Sequence, residues 1–187
     1  EQGIGDEIMF ASCLPDLLAQ DCECIVECSA KLERLFRRSF PGATVIVADQ
    51  TSSDVSYLAA LPTCDWQVAA GSLPLFLRRG WDDFPRHHGY LKADAKRVDY
   101  WKERLCTLGT ARRIGLSWRG GAYHTNQARR SLDLEQLLPL LRMPGVEFVS
   151  LQYTECGDEI AHVRQKHGIT LHHWQDAIDD YDETAAL

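Results

Sequence analysis

The sequence predicts an α/β protein: parallel sheet wound with helices on both faces, in two successive units. Three observations carry this. Over residues 7–48 the order reads turn, helix, strand, helix, strand, which is the alternation of a parallel sheet. Ala43–Ala48 (Ala-Thr-Val-Ile-Val-Ala) is a continuous β-branched run, as in a strand covered on both faces. The pattern then begins again at Arg113.

The elements follow in order. Residues 7–20 read as a helix restarted at Pro15, since proline suits a first turn. Cys22–Cys28 reads as a strand with its alternate thiols on one face. Ala30–Ser39 is helical, with Leu32, Leu35 and Phe36 at helical spacing, and Pro41-Gly42 ends it. Residues 49–63 are loop-like, with a short helix around Ser56–Leu61. Asp65–Ala69 reads as a short strand. Gly71–Leu77 is a start signal followed by apolar residues, and residues 78–92 are irregular. Asp94–Leu105 is a helix with Val98, Trp101 and Leu105 on one side, closed near Gly109.

In the second half, Arg113–Trp118 is a strand and Arg119–Ser131 a loop. Leu132–Leu141 is a helix capped by Ser131 or Asp133. Val146–Gln152 is a strand, Glu159–His167 a helix, Ile169–Leu171 a short strand and Tyr181–Leu187 a helix. The expected boundary lies near residues 106–112, giving domains 1–108 and 109–187. The start at Glu1 and the apolar end at Ala185-Ala186-Leu187 read as a piece of a longer protein, whose second domain is incomplete.

At 187 residues, the chain has room for one large domain or two small ones. A net charge of −7 argues against a general nucleic-acid binder, because phosphate attraction needs a basic surface. No apolar run reaches the length of a transmembrane helix, and no signal peptide is visible. The seven cysteines are odd in number and form no Cys-x-x-Cys pair, so neither a disulfide framework nor a zinc ribbon is indicated. Thiols on a buried strand face suit a reducing cytoplasm.

Two loops carry candidate chemistry. The first is Glu1-Gln2-Gly3-Ile4-Gly5-Asp6-Glu7-Ile8-Met9-Phe10. Gly3 and Gly5 suit a sharp entry into a helix with a ligand close to the backbone. Asp6 stands at the N-cap or first turn, where the helix end favours a carboxylate. Ile8 replaces the third glycine of a dinucleotide fingerprint, and an acid at position 6 repels a pyrophosphate. A carboxylate that handles a proton or hydroxyl fits better; a plain turn with a cap is the competing reading. The second loop follows the strand ending at Trp118. It offers Arg119, Gly120, Gly121, His124, Asn126, Arg129 and Arg130, a set suited to a phosphate or sugar phosphate. A solvated loop with surface arginines is the alternative. His87-His88 and His172-His173 read as surface or packing pairs, and His162 and His167, five apart, as lying on different faces.

The opening segment resembles the start of the catalytic region in bacterial glycosyltransferases that follow tetratricopeptide repeats, which are similar to the heptosyltransferase superfamily. Three further stretches fit in order: Asp94–Trp101, the helix leading out of the first domain; Arg113–Gly120, the first strand of the second; and Pro144–Gln152, its next strand. The resemblance implies two Rossmann-like domains facing a cleft, the GT-B arrangement. It implies an acceptor side in the first domain, with Asp6 as general base, and a nucleotide-sugar side in the second. Arg119, Gly120 and Gly121 then contact the donor, with arginines where relatives often carry a lysine. The late donor motif of the family, a Thr/Ser-rich turn and a His-Leu-Ala-type helix, is absent, so little or no transferase activity is expected of this polypeptide alone.

The expected reaction is inverting glycosyl transfer from a nucleotide sugar to an acceptor hydroxyl, with no metal or other cofactor. Asp82-Asp83 and Asp179-Asp180 read as surface acids rather than a metal pair. The sugar, base and acceptor are unspecified. An unfinished sheet edge would leave room for a second copy of the chain. Two other classes stay open: a binding module that keeps the phosphate cleft without chemistry, and a different Rossmann-like enzyme such as an oxidoreductase, which the missing third glycine disfavours.

Overall fold

The computed structural model describes residues 3–48, 61–86, 89–120 and 127–187. It is a mixed α/β structure with two short parallel sheets, of two and three strands. The chain divides into two compact units, 1–93 and 94–187. The division falls upstream of the boundary expected near residues 106–112.

In the first unit, α1 spans Ile4–Ala11 and α2 spans Leu14–Leu18, with Pro15 in the first turn of α2. Strand β1 is Cys24–Cys28. A 3-10 turn, Ala30–Leu32, feeds α3 (Glu33–Ser39), and β2 is Ala43–Val47. β1 and β2 are parallel, in register from Cys24 opposite Ala43 to Cys28 opposite Val47. The crossover α3 packs on β2 and buries Leu35 and Phe36, the latter edge-on to Phe40 with ring centroids 5.4 Å apart.

The later part of this unit is tied back by polar contacts. Ser39 Oγ donates to the Leu35 carbonyl and accepts from the Lys92 amide at 2.8 Å. Tyr90 donates its hydroxyl to the Ile8 carbonyl at 2.6 Å. Arg78, almost wholly covered, pairs with Asp16 and donates to the Ser12 carbonyl at 3.2 Å. Helix α4 (Leu73–Leu77) follows a 3-10 turn at Ala70–Ser72.

Several expectations are corrected here. The first helix starts at Ile4, not at residue 7. Asp65–Ala69 forms no strand: its apolar/polar alternation finds no neighbouring strand among the described residues, and Trp66 is 92 % exposed. β2 is not covered on both faces, since Thr44 is exposed and only Val45 is fully buried. The helix expected around Ser56–Leu61 lies, save Leu61, outside the described residues, as does His87-His88.

In the second unit, α5 (Ala95–Cys106) is capped by Asp94, whose carboxylate accepts from the Lys96 and Arg97 amides. That is the capping geometry a short acid at this position favours. Strand β3 is Arg112–Leu116. A 3-10 turn at Leu134–Leu137 leads into α6 (Leu138–Leu141), and β4 is Val146–Ser150. Then come α7 (Gly157–His167), β5 (Leu171–His173), α8 (Gln175–Asp179) and α9 (Tyr181–Ala186). The sheet order is β3-β4-β5, all parallel, with Ile114 opposite Phe148 and Phe148 opposite Leu171.

Trp118, Leu134, Leu141, Phe148, Cys156, Val163 and Leu171 form the core beneath these helices. Trp101 of α5 is fully buried; its indole donates to Glu183 at 2.7 Å and its ring lies 5.6 Å from that of Trp174. Arg104 covers both indoles and donates to Asp176 at 2.7 Å. The helix expected to end the first domain therefore packs within the second unit. The last strand is also shifted, to Leu171–His173, because the sheet takes up both histidines: His172 stands opposite Val149. The single helix expected at Leu132–Leu141 is split into a 3-10 turn and α6, with Pro139 in the first turn of α6.

Candidate functional site

In the first unit the site grows from the entry to α1. Gly3 is the N-cap and adopts an extended backbone (φ −179°), and its carbonyl accepts from the amides of Asp6 and Glu7 at 3.0 and 3.1 Å. Gly5 lies inside the helix rather than in a loop. Neither glycine has a left-handed backbone. A Cβ on either would meet nothing within 4 Å among the described residues, so the fold itself does not demand glycine there. Asp6 is in the first turn, half-buried, and its carboxylate has no hydrogen-bond or ion-pair partner among the described residues.

Its neighbour behaves differently. Glu7 is buried and accepts the Ser29 amide at 2.8 Å, which ties α1 to the segment leaving β1. The hydroxyl of Ser29 is buried without a partner among the described residues. Burial, then the charges of Glu7 and Glu33, push the Cys28 thiol at the end of β1 up to about 11. Glu7 and Ala11, four residues apart, share one face of α1 and are both buried. That spacing is the signal in the sequence that marks Glu7, not Asp6, as the inward acid.

In the second unit the candidate loop leaves the carboxyl end of β3, where parallel sheets commonly place their ligands. Gln152, just past β4, is fully buried and holds the exit of β3. Its Oε1 accepts from the amides of Trp118 and Arg119 at 3.0 and 2.9 Å and from the Ser117 hydroxyl at 3.2 Å. Its Nε2 donates to the Arg119 carbonyl at 3.1 Å and to Thr154 at 2.8 Å. Such a fully bonded buried amide fixes backbone that would otherwise be a free loop. The signal for this clamp in the sequence is a polar residue ending an apolar strand.

A concavity of about 400 Å³ lies beside this turn, lined by Ser117, Trp118, Arg119, Gly120, Arg130 and Leu132 among others. Arg119 is partly engaged: its guanidinium pairs with Glu159 at 3.1 Å and donates to the Glu155 carbonyl, while Nε is buried without a partner among the described residues. Trp118 donates its indole N–H to the same Glu159 at 3.1 Å. Arg129 and Arg130 are exposed. Thus Arg119, Gly120 and Arg130 come together, and Gly121, His124 and Asn126 lie outside the described residues.

His162 and His167 are not separated as their spacing suggests. Both reach Glu135, at 3.3 and 3.0 Å, together with Lys166 at 3.0 Å. The His167 bond, then Lys166, draw the Glu135 carboxyl down to about 2. Among the described residues no group of three or more His, Cys, Asp or Glu can hold a metal ion. Arg142 lies 3.5 Å from His167 Nδ1, while His167 Nε2 meets Glu135 at 3.0 Å. His172 meets Glu147 at 2.9 Å, and His173 bridges Ser150 and Gln175 at 3.1 Å each, so the pair serves packing within the sheet.

These features define the class of protein: a mixed α/β chain with polar loops at the ends of parallel strands. No helix among the described residues is long and apolar enough to cross a membrane. The chain is 34 % identical over 200 residues to Protein FlbA of Caulobacter vibrioides, a match covering all of this chain and 33 % of that protein. The chain therefore spans about a third of the length of the curated relative it matches. No family model matches the sequence, and no solved structure matches it.

Proposed function

We propose that this chain is part of a glycosyltransferase of the tetratricopeptide-repeat-associated, heptosyltransferase-like kind, with two Rossmann-like domains of the GT-B type. The observation that carries the reading is the contrast on α1: Glu7 is consumed by the fold, whereas Asp6 beside it has no partner among the described residues. A half-buried carboxylate at a helix entry, next to glycines that the fold does not require, is suited to accept a proton from a bound hydroxyl.

In this mechanism Asp6 takes the proton of the acceptor hydroxyl as its oxygen attacks the anomeric carbon, with inversion. The C–O bond to the nucleotide diphosphate breaks and the diphosphate departs with the negative charge; within the second unit, Arg129, Arg130 and the amides near Gly120 have the chemistry to hold a nucleotide diphosphate. The whole reaction belongs to the longer, cytoplasmic protein. A binding module without chemistry is the second reading, favoured by the pairing of Arg119 with Glu159 instead of a free guanidinium.

A product assay on the full-length protein with a panel of nucleotide sugars, beside calorimetric titration with nucleoside diphosphates, tests both. Sugar transfer supports the enzyme. Diphosphate binding without transfer selects the module, and neither binding nor transfer overturns the proposal.

A further inference from the structure

We propose that Cys22 and Cys24 form a reversible intramolecular disulfide, making the entry to β1 a redox-sensitive modification site. The two sulfurs lie 3.5 Å apart, with Cys22 exposed and Cys24 half-buried. Cys24 is the first residue of β1, opposite Ala43, while Cys22 precedes the strand and is not held in its ladder. Two residues of chain span at most about 6.6–7.2 Å, so the two α-carbons lie at or near the roughly 4.4–6.8 Å over which cysteines can be bridged. The sulfurs need only close to about 2 Å.

Cys22 also donates its thiol to the Leu17 carbonyl at 3.3 Å, so its sulfur has two alternative partners: the end of α2, or Cys24. Reduction keeps the contact with α2, and bridging gives it up because the donor proton is lost. The remaining thiols are placed differently. Cys13, Cys28 and Cys156 are buried, and Cys64 and Cys106 are exposed. The hydrogen-bond partner of Cys64 Sγ is the Pro62 carbonyl, not another sulfur.

The chemistry needs a low-molecular-weight disulfide as oxidant. The exposed Cys22 thiolate attacks one of its sulfurs and expels one small thiolate. Cys24 loses its proton and attacks the Cys22 sulfur, expelling the second. One S–S bond forms in the protein, one is broken in the oxidant, and the oxidant leaves as two thiols carrying the two protons. Burial first, then the hydrogen bond and charge of Cys22, hold the Cys24 thiol up at about 11. Capping Cys22 in the mixed disulfide removes the Cys22 contribution just before Cys24 must react. The rate of closure should therefore rise with pH.

The test uses the whole chain, treated with glutathione disulfide, blocked with an alkylating agent and cut after glutamate. Cleavage after Glu23 and Glu27 isolates Cys24 in a peptide of its own, apart from the peptide carrying Cys13 and Cys22. The expected product is these two peptides linked, lost on reduction and absent in Cys22→Ser but retained in Cys13→Ser. Separate glutathione adducts on Cys22 and Cys24, a linkage that survives Cys22→Ser, or a link to a second chain would each overturn the proposal.

Discussion

The ends of β1 and of β3 solve the same structural problem in different ways. At the first, one acid is buried to fasten the chain and the next is left without a partner: Glu7 holds Ser29, and Asp6 holds nothing among the described residues. At the second, a neutral amide does the fastening. Gln152 satisfies both amides and the carbonyl of the turn, and the cation nearby, Arg119, is drawn to Glu159. The difference teaches which side chains are available for chemistry. A carboxylate was spared in the first unit, whereas in the second the exposed positive charge near the turn lies further along, at Arg129 and Arg130.

The comparison can be broken by substitution. The largest loss is expected from Trp101→Ala in the second unit. Removing a buried indole and its bond to Glu183 should cost about 3–5 kcal/mol, read as a lower urea midpoint. Gln152→Leu should follow at roughly 3 kcal/mol, because it strands two amides and a carbonyl in a buried place. If the variant unfolds at the wild-type midpoint, the clamp is not what orders the turn.

Glu7→Ala should cost about 2 kcal/mol through its charge-assisted bond to Ser29, while Asp6→Asn changes stability by less than about 0.5 kcal/mol. Equal losses at the two positions would erase the division of labour on α1. The smallest effect concerns pH. Glu135 is drawn from 4.5 down to about 2 in the folded chain, so its contribution is present above the unfolded value and is lost as pH falls through that window. Glu135→Gln should flatten the acid-induced loss of stability between those two values; an unchanged acid limb would show that the α7 side chains at His162, Lys166 and His167 are not what holds the charge.

The sequence shows some of this directly and hides the rest for physical reasons. The helix at Asp94–Leu105 was legible because cap, periodicity and a large aromatic agree. The β-branched run of β2 was legible as a strand, but not its half-exposed state, which depends on what covers it. Asp65–Ala69 carries strand alternation without a pairing partner, and alternation alone cannot supply one. The two loops were legible as candidates from their residue types. Their internal wiring was not: Gln152 with Trp118 and Glu135 with His167 are contacts across long sequence separation. His162 and His167 meet at one oxygen because long side chains from different sides of a helix can converge on a neighbouring turn.

The most direct test of the central claim is turnover of the full-length protein carrying Asp6→Asn, measured with a nucleotide sugar that the wild type uses. Loss of the general base should lower the rate by roughly 10²–10⁴-fold, with nucleoside diphosphate binding and thermal stability unchanged. A wild-type rate in that variant would contradict the assignment of the base to Asp6.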